Sequence, residues 1–223
     1  MMHQNIFKRF IPSITIIFVL CIPVILLFWQ FFTKGYIPIP GKYMVSWYEP
    51  WKSDTTINGV PTIPHKPIAD DVFRQIYPFK ILATDMLARN TLPLWNPYNG
   101  SGQPFLATIH TALFNPFSLL LAINNKPVGW SWYVIMQMIL VGGAAFLYVS
   151  LLGVSPVGSL IASITLMLSG FMVVRLEYGV YGYALFEFLI LFLSIELIRK
   201  QNILGYALLS PAVALLLVSI QPQ

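Results

Sequence analysis

The sequence predicts an all-α integral membrane protein: about five transmembrane helices with a large first extracytoplasmic loop carrying interfacial helices. Three observations predict this class. Only 9% of the 223 residues are charged and 57% are hydrophobic, whereas soluble domains carry about 25% charged residues. Uncharged apolar runs recur along the chain, and a helix needs about 20 such residues to cross a bilayer. The remaining charge is concentrated in one segment, Lys34 to Lys126, which holds 8 of the 13 Lys/Arg and 5 of the 8 Asp/Glu.

The same composition excludes several functions. The net charge of +5 comes from scattered basic residues with no Lys/Arg run, which is not a nucleic-acid signature. His3, His65 and His110 stand far apart, and no Cys/His cluster has zinc spacing. Neither phosphate-cradling glycine motif occurs. The single cysteine, Cys21, has no partner for an intrachain disulfide.

In chain order, residues 1–9 form a short cytoplasmic N-terminus ending in Lys8 and Arg9. Residues 10–33 carry no charge over 24 positions and form the first span. Its core is too long for a cleaved signal peptide, and no small-x-small site follows. Pro12 and Pro23 are tolerable because membrane helices accept proline.

The extracytoplasmic loop, 34–127, contains twelve of the 17 prolines. Gly35 to Pro67 reads as ordered loop with short strands, with Trp47, Tyr48 and Trp51 at headgroup level. Ala69 to Asn90 is helical in pattern. Asp70 suits the N-cap or first turn, and Pro78 breaks or kinks the helix or starts a second one. Phe79, Leu82, Ala83, Met86 and Leu87 form an apolar face. Lys80, Thr84, Asp85 and Arg89 take the other side, with Asp85 and Arg89 as an i,i+4 pair. Such a helix lies in the membrane interface or packs within the folded loop. Asn99-Gly100-Ser101-Gly102 reads as a turn, and Phe105 to Ile123 as a partly embedded or re-entrant segment.

Four further spans follow, at 130–152, 157–174, 180–198 and 202–220, with a turn at Leu152–Gly158 between the first two. Lys8 and Arg9 before span one, and Arg199 and Lys200 after span four, place the N-terminus inside by the positive-inside rule. The long loop and the Arg175–Glu177 connection then share the outer face.

Asp70 and Asp71 are the candidate catalytic carboxylates. Neighbours on a helix point about 100° apart, so they do not form one dyad. Asp70 can pair with Arg74, which leaves Asp71 beside Gln75. A partly desolvated carboxylate suits a general base. Glu177 either joins it from the second outer connection or pairs with Arg175. Glu187 lies within a span, where an ionisable group is by default functional. A structural hydrogen bond to another span is its alternative.

The string Asp71-x-x-x-Gln75, Tyr77-Pro78-Phe79, Leu92-Pro93-Leu94-Trp95-Asn96-Pro97-Tyr98, Gly102-x-Pro104-Phe105-Leu106-Ala107 and Phe114-x-Pro116, with Ser169-Gly170-Phe171 later, resembles the YfhO family of bacterial multi-span membrane proteins. That family is similar to the GT-C glycosyltransferases. The resemblance implies an enzyme of the bacterial cell membrane that passes a sugar from a polyprenyl-phosphate-linked donor to an envelope glycan, lipid or protein acceptor on the extracytoplasmic face. It implies Asp71 as the catalytic residue, with Asp70 as the close alternative. Arg74, Gln75, Lys80, Arg89, Trp95, Asn96 and Glu177 are the substrate-binding candidates, with Arg74, Lys80 or Arg89 answering the phosphate charge. Some members of the wider class use a divalent metal ion, for which Glu177 is the candidate ligand. The family's greater length implies that this chain is an N-terminal fragment. Two other readings compete. One is a transporter or flippase of lipid-linked sugars that depends on Glu187 and Glu196. The other is a non-catalytic membrane assembly module.

Overall fold

The computed structural model describes residues 14–47, 49–53, 56–57, 60–61, 70–106, 108, 111, 115–123 and 126–219. The expected cytoplasmic segment with Lys8 and Arg9, the first residues of span one, Tyr48, the side chain of Trp51, Ala107, Phe114 and the last residues from 220 onward lie outside the described residues.

Helix α1 (Ile14–Leu27) is wholly apolar apart from Thr15 and Cys21. It is followed, after the off-helix residue Phe28, by the short α2 (Trp29–Lys34). Lys34 stands in the last turn of α2, where a cation complements the exposed carbonyls. Its amine also lies over the rings of Trp29 and Tyr36. The polar segment then contributes α3 (Lys42–Trp47) and a two-residue antiparallel pair, β1 (Thr56–Ile57) with β2 (Val60–Pro61). A π-helical stretch (Val72–Ile76) leads into α4 (Tyr77–Ala88). A second small hairpin follows, β3 (Trp95–Asn96) with β4 (Gln103–Pro104), and then a 3₁₀ segment, Pro116–Ala122. Asn115 caps that segment by accepting from the Phe117 N–H at 2.9 Å. Within the expected re-entrant stretch, Phe105 to Ile123, the described residues include this 3₁₀ segment, which starts at Pro116.

The C-terminal half is helical. It comprises α5 (Lys126–Leu151), α6 (Pro156–Met167), α7 (Gly170–Arg175) with the 3₁₀ turn Leu176–Tyr178, α8 (Tyr181–Arg199) and α9 (Ile203–Ser219). Ser155 caps α6 through the Gly158 N–H at 3.2 Å. Ser169 caps α7 through Met172, so the apolar run after Pro156 is interrupted at Leu168–Ser169.

Helix α5 is the centre of the molecule and packs against α1, α6, α8 and the Pro116–Ala122 segment. Trp130, Tyr133, Ile135 and Met138 are fully buried along it. Gly142 allows α6 to approach: a Cβ there would collide with the sulfur of Met167, the small-residue contact that membrane helices use. Tyr183 of α8 donates its hydroxyl to the Tyr133 carbonyl at 2.7 Å.

Three helical stretches are long and apolar enough to cross a membrane: Lys126–Leu151, Pro156–Tyr178 and Tyr181–Arg199. Thr15–Leu27 and Ile203–Leu217 are shorter apolar helices. Large apolar side chains face outward on α1 (Phe18, Leu26), α8 (Phe192, Ile195) and α9 (Ile203, Leu217). An outward face of that kind is satisfied by lipid, and it agrees with a mostly helical membrane protein.

Candidate functional site

Asp71 to Ala88 forms a rod of two joined parts, the π stretch Val72–Ile76 and the α-helix Tyr77–Ala88, and Pro78 stands in the first turn of the second, one of the places expected for it. The Asp70 carbonyl accepts the first helical bonds, from Phe73 and Arg74 at 3.2 and 3.0 Å. The following turn widens, with the Tyr77 N–H reaching the Val72 carbonyl. Proline has no N–H to donate and its ring crowds the carbonyl four residues back. The π turn shifts the carbonyls out of that register, so the chain passes Pro78 without breaking.

The two carboxylates separate as their spacing requires. The Arg74 guanidinium donates to Asp70 Oδ2 at 2.8 Å and holds that carboxyl below its ordinary range, against a smaller opposing effect of burial. The same guanidinium lies 5.4 Å from the centre of the Trp47 ring. Asp71 is exposed, one turn before Gln75 on the same strip of the rod.

Lys80 departs from the expected pattern. It was placed with Thr84, Asp85 and Arg89 on a polar face, yet it is 1% exposed. Its amine donates to the Tyr133 hydroxyl at 3.2 Å and lies 5.0 Å from that ring's centre. Burial pushes its pKa down to about 7. The cause is tertiary: the Pro116–Ala122 segment and α5 cover a side that helical periodicity alone leaves open. Asp85 likewise pairs with Lys126 at 2.8 Å rather than with Arg89. Arg89 ends the rod, exposed, and about 22 Å beyond Arg74 at 1.5 Å per residue.

The Leu92–Tyr98 string builds the hairpin. Trp95 faces Pro104 and Asn96 faces Gln103. Asn96 is buried, and its Oδ1 accepts the Tyr98 N–H at 2.9 Å, which closes an Asx turn. The Gly102 N–H bonds the Asn99 carbonyl at 2.9 Å. Gly102 has φ +104°, and a Cβ there would stand 2.6 Å from the Trp95 ring. Only glycine fits that position. Phe105 then anchors the hairpin edge-on to Phe79 of α4, ring centres 5.5 Å apart.

Between rod and hairpin lies a cavity of about 470 Å³. Arg74, Gln75, Asn96, Tyr98 and Asn99 line it, over a floor of Pro78, Phe79 and Leu82. The structure therefore brings together three of the nominated binding residues, Arg74, Gln75 and Asn96. It sets Lys80 and Arg89 apart from them, and Trp95 packs over Gly102 at the hairpin's turn. Tyr98 and Asn99 are lining residues that the reading of the sequence passed over. Tyr98 closes the Leu92–Tyr98 string quoted for the resemblance and Asn99 opens the turn after it, so both were marked in the sequence without a binding role.

Glu177 occupies a second place. With Leu27, Phe28, Ile37 to Pro40, Val134, Val173 and Leu176 it lines a cavity of about 280 Å³. Its turn is fixed by Gln137 of α5, whose amide donates to the Leu176 carbonyl at 3.3 Å and accepts the Gly182 N–H at 3.0 Å. Arg175 stacks on Tyr181 at 4.9 Å. The Leu176–Tyr178 turn packs directly against the π stretch that follows Asp71, with Val72, Ile76 and Leu176 sharing one core. The two carboxylate-bearing segments are thus neighbours, while their cavities have no lining residue in common. Gln137 was also missed, although a lone amide inside an uncharged span is a readable signal.

Glu187 is buried within α8. Glu196 is bound by Arg199 through two hydrogen bonds of 2.6 and 2.7 Å, and Lys200 lies 3.6 Å away. Lys200 also donates to the Leu151 carbonyl, closing the end of α5. Among the described residues no three His, Cys, Asp or Glu side chains converge in a way that could hold a metal ion.

The fold and this site define a helical membrane protein whose long polar segment carries a walled cavity beside an exposed carboxylate. No family model, curated protein or solved structure matches the chain.

Proposed function

We propose that the chain carries the catalytic segment of a GT-C-type membrane glycosyltransferase, similar to the YfhO family, with five spans, its N-terminus inside and the polar segment on the extracytoplasmic face of a bacterial cell membrane. One observation carries the reading: the cavity lined by Arg74, Gln75 and Asn96 adjoins the strip of helix on which Asp71 is exposed. An exposed carboxylate at the edge of a polar-walled cavity suits a general base.

In this reading Asp71 takes the proton of an acceptor hydroxyl. The hydroxyl oxygen attacks the anomeric carbon of the donor sugar. The bond from that carbon to the phosphate oxygen breaks, the lipid phosphate leaves with the electron pair, and configuration inverts. Glu177, on the neighbouring turn, orients the acceptor. Glu196 is tied to Arg199, which leaves the transporter alternative resting on Glu187 alone.

The test uses membranes from cells producing the chain, supplied with radiolabelled polyprenyl-phosphate hexoses. Label should pass to an envelope acceptor with the wild type and fall to background with Asp71→Asn at equal membrane abundance. Equal transfer by that variant removes Asp71 from the reaction.

A further inference from the structure

We propose that the cavity between the Asp71–Ala88 rod and the β3–β4 hairpin binds an uncharged saccharide ring, with Tyr98 as its stacking platform and the Gln75 and Asn96 amides as its hydrogen-bond partners. The inference rests on the transferase reading for the use of the site, and on the cavity's own chemistry for the nature of the ligand.

The charge balance argues against an anion. Among the described residues Arg74 is the one cation lining the cavity, and it already donates to Asp70 at 2.8 Å and is covered on one side by Trp47. A phosphate needs guanidinium or ammonium donors that are not already committed to a carboxylate. Asp71 adds a negative charge close by. Lys80 is turned into the core against Tyr133, and Arg89 lies at the far end of the rod.

The remaining groups match a sugar. Gln75 and Asn99 each offer a donor and an acceptor and Asn96 offers a donor, the mixed pattern that hydroxyl groups satisfy. Asn96 is oriented in advance, because its oxygen is held by the Tyr98 N–H and its amino group is the end left for a ligand. Pro78, Phe79 and Leu82 give an apolar floor suited to the C–H face of a pyranose. Tyr98 is 82% exposed, a large ring held at the cavity's edge by a tight turn, with an apolar face that a sugar ring can cover and a hydroxyl that stays wet. The volume of about 470 Å³ lies within the roughly 300–1,000 Å³ of small-molecule sites.

The experiment is saturation-transfer NMR on the full chain in a sugar-free zwitterionic detergent. The probes are the methyl glycosides of glucose, galactose and N-acetylglucosamine, with inorganic phosphate as competitor. At least one glycoside should bind, with signals on its C–H face, and phosphate should not displace it. Tyr98→Ala and Gln75→Ala should each weaken binding about tenfold, the loss of one contact of ~1.4 kcal/mol, while Tyr98→Phe keeps it. Binding of no glycoside, displacement by phosphate, or unchanged binding in Tyr98→Ala overturns the proposal. The two readings fail separately. Glycoside binding with no sugar transfer by the wild type removes the transferase and leaves the saccharide site. Transfer that is unchanged in Tyr98→Ala removes the saccharide site and leaves the transferase.

Discussion

The Lys80 amine of α4 is bound to the Tyr133 hydroxyl of α5 at 3.2 Å, out of contact with solvent. The polar segment is therefore fastened to the helical bundle by a basic group whose charge is disfavoured where it sits. Its pKa falls from 10.5 to about 7, so the packed state favours the neutral amine. Below pH 7 the amine is protonated in both packed and unfolded states, and packing carries the full cost of burying charge. Between pH 7 and 10.5 that cost falls, and stability rises. Lys80→Met removes the cost. Its melting temperature should exceed the wild type's at pH 6–7, and the gap should narrow toward pH 10. A gap that stays constant across this range would rule out the titration of Lys80 as its cause.

Asp70 and Asp71 should separate by mutation. Asp70→Asn frees Arg74 from its ion pair and gives the cavity an uncommitted cation. Inorganic phosphate should then compete for the cavity in Asp70→Asn and not in the wild type. Asp71→Asn should leave glycoside binding unchanged. Competition titrations on both variants check this, and phosphate competition appearing only in Asp71→Asn would contradict it.

Gly102→Ala combines a left-handed backbone with a collision against the Trp95 ring. The strain should cost about 1–3 kcal/mol and loosen the hairpin. Trp95 would become more accessible, so acrylamide quenching of tryptophan emission should rise. Quenching equal to the wild type's would show that the turn adapts.

Gln137→Leu leaves the Gly182 N–H buried without its partner and removes one of two donors from the Leu176 carbonyl, which keeps the Gly179 N–H at 3.2 Å. The orphaned N–H costs about 1–3 kcal/mol, so the variant should melt several degrees lower. Hydrogen exchange should quicken at Leu176 to Gly182 before it does in α9. Uniform loosening of all helices would indicate that Gln137 has no specific hold on this turn.

The helices were the legible part of the chain. Uncharged runs mark α5 to α9 because a bilayer selects on composition, and Ser155 and Gly153 punctuate α5 and α6 as their chemistry demands. The Asp70–Arg74 pair was legible for the same reason, being set by helical spacing alone. Lys80 was not legible, because its burial depends on a 3₁₀ segment some forty residues later folding back over α4. Pro78 was legible as a possible helix start, where it stands, but the widened turn that joins it to the preceding stretch leaves no local composition signal. The cavity joins a helix to a hairpin twenty residues further on, so no window of sequence contains it. The Leu92–Tyr98 string marked one wall without showing that it was a wall.

The interruption at Leu168–Ser169 has a mechanical consequence. Ser169 starts a fresh cap, so the backbone ladder of α6 does not run on into α7. The stretch from Pro156 to Tyr178 is a jointed strut rather than a single beam. Its upper section, with Glu177, takes its position from α5 through Gln137 and from the π turn beside Asp71, and α6 beneath it is free of that duty. A force that tilts α6 within the bilayer is absorbed at the joint, and the alignment of the two carboxylate-bearing turns is insulated from it.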